Sequence, residues 1–132
     1  MPPAAWWVDA DVLDLYYSLG AARRRQGDVH AGLDDCPGCP AVDELDVDWI
    51  PRIDPTWAVI TKDRRQRTRL HEYQAYMDAG LGVFIVRSKK ELSGFERTRL
   101  VLARWDEMVA TWDDTPRPFL ARVTRAGVAV YD

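Results

Sequence analysis

The amino-acid sequence predicts an α/β protein with a central, mainly parallel sheet of about five strands and helices on both faces. Three observations lead there. Short apolar runs recur along the chain, alternating with stretches whose apolar residues fall at helical spacing. The run at residues 57–61 is apolar on both faces of a strand, as one covered on two sides has to be. Between the runs lie four helical or loop-plus-helix segments, which are the crossovers that parallel neighbours require.

Taken in order, Trp6, Trp7 and Val8 make a first strand ending at Asp9. Asp11 is placed to cap a helix in which Val12, Leu15, Tyr16, Leu19 and Ala22 share a face. Arg23, Arg24 and Arg25 suit its last turn and Gly27 ends it. Residues 29–33 read as a second strand, followed by a breaker-rich loop around Cys36-Pro37-Gly38-Cys39-Pro40 that runs to Glu44. Residues 46–53 read as a short helix burying Trp49 and Ile50, limited by Pro51 and Pro55. The third strand, 57–61, leads to a helix with Leu70, Tyr73 and Met77 on its face and Gly80 or Gly82 as its stop. Residues 83–86 form a fourth strand. Ser93 and Glu96 then make a capping box for the longest helix, with Phe95, Leu102, Trp105, Val109 and Trp112 along one face. Pro116 and Pro118 end that region, and 119–123 is the last strand.

A chain of 132 residues, 47% hydrophobic and with six tryptophans, has the size for a single domain over 1–132 with one core. Its formal charge of -3 does not by itself point to a polyanion partner, but the charge is polarised. Residues 1–60 carry 11 acids against 4 Lys/Arg, whereas 61–132 carry 10 against 14. The N-terminus has no positive segment, and Asp9 and Asp11 interrupt its apolar run, so no signal peptide is expected. No apolar stretch is long enough for a membrane span, and two closely spaced cysteines do not suggest a secreted disulfide scaffold. A cytoplasmic protein is the expectation.

Asp9 and Asp63 fall at the carboxyl ends of the first and third strands, and Asp46 starts the helix leading into the third. In open α/β sheets ligands bind outside those strand ends. If strands one and three are neighbours, the three acids can meet at one edge. Clustered carboxylates repel one another and are costly to desolvate, so a hard divalent cation, Mg²⁺ or Mn²⁺, is the natural companion. Such an ion polarises a phosphodiester oxygen and lowers the pKa of bound water. The bland reading is that each acid is merely a cap or turn residue. Lys62, Arg64, Arg65, Arg67 and Arg69 surround Asp63, while Arg87, Lys89 and Lys90 follow the next strand. They suit a rim that holds phosphates, or else a solvated helix face.

These residues resemble the PIN and PIN-like ribonucleases, in particular the VapC-type toxins of bacterial toxin-antitoxin pairs. The resemblance rests on Asp9 after an apolar strand, on Asp46-Val47-Asp48-Trp49-Ile50, and on a strand ending in Thr61-Lys62-Asp63. It extends to Asp63-Arg64-Arg65 with Glu72 in the next helix, to Gly82-Val83-Phe84-Ile85-Val86, and to the closing segment from Pro118 to Arg125. It implies a PIN-like α/β/α sandwich and Mg²⁺- or Mn²⁺-dependent cleavage of RNA by a metal-activated water. Asp9, Asp46 and Asp63 would be the catalytic ligands, Thr61 an orienting residue, and a cognate antitoxin the protein partner. The family pattern also has a Glu between the first and second Asp, where this chain offers only Glu44. Glu72, Asp11 and Asp48 remain alternatives for the fourth metal ligand, and homo-oligomerisation stays open.

Other motifs carry less. Cys36 and Cys39 lack the helix start of a redox pair, and as a zinc site they are half a set, with only His30 and His71 to complete it. His71-Glu72 fails the H-E-x-x-H pattern because position 75 is Ala. The tryptophans fall where core packing accounts for them. A non-enzymatic α/β binding module is the rival from another class. A phosphoacceptor receiver is weaker, since arginines follow Asp63 and no lysine closes the last strand.

Overall fold

The computed structural model describes residues 1–9, 12–31, 50–62 and 69–131, with the backbone alone at 69–72. Among the described residues six strands form one sheet: β1 (Ala5–Val8), β2 (Val29–Ala31), β3 (Trp57–Lys62), β4 (Gly82–Val86), β5 (Phe119–Thr124) and β6 (Gly127–Val130). Their spatial order is β2-β1-β3-β4-β5-β6, with every pairing parallel except the antiparallel β5–β6 hairpin. The helices are α1 (Leu13–Ala22), α2 (Arg69–Asp78), α3 (Gly94–Ala103) and α4 (Trp105–Asp114), with a 3-10 turn at Ile50–Arg52.

Alternation along the strands divides the core in two. On one face, Trp6, Val8, Ala58, Ile60, Phe84 and Val86 pack against Val12, Leu15 and Leu19 near and in α1, Leu100 and Val101 in α3, and Met108 and Trp112 in α4. On the other, Trp7, Val59, Val83 and Ile85 meet Tyr76 of α2, Leu81, and Ile50 and Ile53 around the 3-10 turn. The predicted α/β architecture with helices on both faces is what forms, and β1 and β3 are neighbours, with Val8 opposite Ile60.

Several elements differ from expectation. β6 makes a sixth strand; its residues are half-buried or exposed, so it lacks the apolar run that marks the others. The long helix is two, because the chain turns at Arg104. The buried positions of α3 are Arg97, Leu100 and Val101, whereas Phe95 is 76% and Leu102 48% exposed, so the face assigned from their spacing was the outer one. Among the described side chains of α2 the buried one is Tyr76, and Met77 turns outward. The helix stops at Gly80, whose φ of 74° is open to glycine without penalty. There Leu81 N–H bonds Tyr76 O and Gly80 N–H bonds Met77 O, a Schellman closure. Arg23 does not sit in the last turn of α1; it follows that helix and clamps Asp28 with two bonds of 2.8 and 2.9 Å. Part of the 46–53 segment is a 3-10 turn, with Ile50 buried as expected. The capping roles assigned to Asp11, the second strand beyond Ala31, Trp49 and the cysteine loop lie outside the described residues.

Candidate functional site

The carboxyl ends of β1, β3, β4 and β5 lie at one edge of the sheet, since all four run in the same direction. Asp9 follows β1 there. Its N–H bonds Ile60 O at 3.0 Å, so β3 fixes its backbone, and its own carbonyl accepts from Val12 N–H at 3.0 Å as the chain turns into α1. Period-two alternation puts Asp9 on the side of Trp7 and Thr61 on the side of Val59, which is the face covered by α2. The two side chains meet: Thr61 Oγ1 donates to Asp9 Oδ2 at 2.9 Å. Asp9 is 3% and Thr61 0% exposed. A carboxylate so little hydrated is held in place by the donors it finds.

At the same edge, on the other face of the sheet, runs a chain of ionic contacts. Lys62, at the end of β3, places Nζ 3.0 Å from Glu91 Oε1, and Arg97 Nη2 lies 3.4 Å from the same oxygen. Arg97 Nη1 reaches both carboxylate oxygens of Asp14 at 2.8 Å, and its Nη2 donates to Leu92 O at 3.0 Å. The hydrogen bond and charge of Lys62, aided by the charge of Arg97, lower the pKa of Glu91. α3 is thereby tied to the first turn of α1, and Gly94 completes the approach: a Cβ there would stand 3.1 Å from Asp14 Oδ2.

Of the residues assigned from sequence, the structure brings Asp9 and Thr61 together and sets Lys62 at the same edge. Asp46, Asp63, Asp11, Asp48, Arg64, Arg65 and Arg67 lie outside the described residues, as do the side chains of Arg69 and Glu72, although both stand on α2. Among the described residues no three Asp, Glu, His or Cys side chains converge. The donor chemistry of Asp9 fits Mg²⁺ or Mn²⁺, which take hard carboxylate oxygen. Asp14, Glu91 and Arg97 escaped the sequence reading. Their one signal was weak: Arg97 falls at i, i+3, i+4 with Leu100 and Val101, which places a cation on the buried side of α3.

A family model for a PIN-like domain matches residues 19–88. The chain belongs to the PIN-like family. The matched segment runs from the end of α1 through β4, so it contains Asp46, Asp63 and Glu72, and Asp9 precedes it. No curated protein and no solved structure gives a match. Among the described residues of this PIN-like protein, no helix is long and apolar enough to cross a membrane.

Proposed function

We propose that this PIN-like protein is a metal-dependent endoribonuclease, with Asp9, Asp46 and Asp63 as its catalytic carboxylates. The observation that carries the reading is Asp9, a buried acid at the carboxyl end of a central strand, oriented by a threonine from the neighbouring strand. Mg²⁺ or Mn²⁺, when bound, supplies an activated water and offsets charge on the phosphodiester oxygens. Asp9, positioned by Thr61 and by the backbone of Ile60, would be one of the residues that hold the ion. Asp46 and Asp63 complete the set, with Glu72, Asp48 or Asp11 as the fourth donor. Lys62, Arg64, Arg65, Arg67 and Arg69 hold the RNA backbone at the rim. In its narrower form the proposal makes the protein the toxin of a VapBC-type pair, restrained by an antitoxin that covers this edge. That part is supported by the sequence resemblance.

The test is cleavage of labelled RNA by purified protein with Mg²⁺, with Mn²⁺ and with EDTA. Cleavage is expected with either ion and not with EDTA. Asp9→Asn keeps the shape of the side chain and removes its charge, so it should slow cleavage at least about 100-fold, the scale reached by loss of even an outer-shell partner. Wild-type rates from Asp9→Asn, or cutting that persists in EDTA, would sink the reading.

A further inference from the structure

β5 ends at Thr124, so the turn into β6 stands at the same edge as Asp9. The start of α3 stands there too, since Gly94 and Arg97 meet Asp14 in the first turn of α1. Between α3 and the hairpin opens a cleft of about 380 Å³, lined by Glu96, Arg99, Leu100, Ala103, Arg104 and Arg125. We infer that this cleft holds the phosphodiester backbone of the RNA strand beyond the scissile bond. The inference rests on the nuclease reading and adds to it a second site that grips the strand.

The walls carry more donors than acceptors. Glu96 is the one acid among the lining residues, and its Oε1 already accepts from Ser93 N–H in the capping box. Its Oε2 lies 3.9 Å from Arg125 Nη2, too far for a hydrogen bond. Arg104 Nη1 donates to Glu107 Oε1 at 2.6 Å, while the other oxygen of Glu107 accepts from Val128 N–H, so that acid is committed as well. Arg104 Nε is buried with no acceptor. Among the described residues Arg99 has no ion pair, and its guanidinium, like that of Arg125, which is 81% exposed, keeps its donors for a ligand. Each guanidinium offers five donors in a planar fork that matches phosphate. Leu100 and Ala103 supply an apolar wall against which a sugar or base can lie.

Position favours RNA over an acidic peptide. From β1, which Asp9 follows, to β5 is three strand spacings, roughly 14 Å. Asp9 faces the α2 side of the sheet and the cleft lies on the α3 side, so a strand cut beside Asp9 reaches the cleft by crossing the carboxyl edge of the sheet.

The test uses fluorescence anisotropy with a labelled single-stranded RNA, kept from cleavage by EDTA, titrated at several salt concentrations. The double variant Arg99→Gln, Arg125→Gln changes exposed side chains, and its fold is checked by circular dichroism. Binding is expected to weaken, and the slope of log affinity against log salt to flatten by about 0.7 for each phosphate that is no longer neutralised, about 1.4 for two. RNA bound by the double variant with unchanged affinity and slope overturns the cleft and leaves the nuclease reading standing. Failure of the unsubstituted protein to bind RNA at all overturns both. Polyglutamate bound in preference to RNA, with the same dependence on Arg99 and Arg125, overturns the RNA assignment in favour of an acidic polypeptide.

Discussion

The Thr61 hydroxyl donates to a carboxylate that is 3% exposed, and a hydrogen bond to a charged acceptor contributes about 1.5–3 kcal/mol. Thr61→Val keeps the branched shape of the side chain and deletes that donor. We predict a loss of stability of about 1–3 kcal/mol in urea unfolding. Cleavage should slow about 10- to 100-fold because Asp9 is no longer aimed. Thr61→Ser should recover most of both, and equal stability and rate for Thr61→Val would mean that the hydroxyl orients nothing. Glu91 calls for a pH experiment. Its pKa is lowered by Lys62 first and then by Arg97, so its contribution is fully present above the ordinary glutamate value of about 4.3 and is lost as pH falls through the lowered one. Glu96 is lowered in the same direction by the Ser93 backbone and hydroxyl. The Tm of Glu91→Gln should accordingly lie below wild type at neutral pH and converge on it in acid. A constant difference across the titration would remove the bridge as its cause. Glu91 is exposed, so the effect is small.

At the scale of elements, β4 depends on a glycine at its first position. A Cβ on Gly82 would stand 2.7 Å from both Phe119 and Trp112, ring atoms packed in the core. Overfilling such a site costs about 1–3 kcal/mol, so Gly82→Ala should lower the midpoint of chemical unfolding with the slope unchanged; wild-type stability would show that the rings shift freely. The same packing explains which elements were legible in the sequence. β1, β3 and β4 are buried along nearly their whole length, which leaves an uninterrupted apolar run between breakers. The Ser93–Glu96 box was legible because capping is local chemistry, and the structure shows both of its bonds. β6 was not, because an edge strand with exposed residues has no such run. The break at Arg104 was not either: α3 and α4 each keep helical spacing, and only tertiary packing shows that their buried faces differ. For the site, Asp9 could be read because a strand end is visible in one dimension. Its partnership with Thr61, 52 positions away, needs the β1–β3 pairing. The ion chain through Glu91 and Arg97 needs α3 to lie against α1.

For the whole molecule, the consequence of the proposed site is a coupling between metal binding and folding. The N-terminal 60 residues carry 11 acids against 4 Lys/Arg, and three acids drawn to one edge would repel one another when no cation is present. Mn²⁺ bound only by the folded state stabilises it by RT ln(1 + [L]/Kd), about 2.7 kcal/mol at a concentration of 100 times Kd. For a domain of this length that corresponds to a rise in Tm of roughly 5–15 °C, at about 2–6 °C per kcal/mol. The hypothesis predicts this rise on adding Mn²⁺ to wild-type protein freed of metal with EDTA. Asp63→Asn should act in opposite directions in the two conditions. Without metal, neutralising one acid relieves the repulsion, so the variant should melt at or above the wild-type temperature. With Mn²⁺ it should gain much less than wild type, because the amide has lost the charge that holds the cation. A wild-type Tm indifferent to Mn²⁺, or an Asp63→Asn protein that responds as wild type does, would show that these acids share no ion, and each would then be a cap or turn residue at the edge of the sheet.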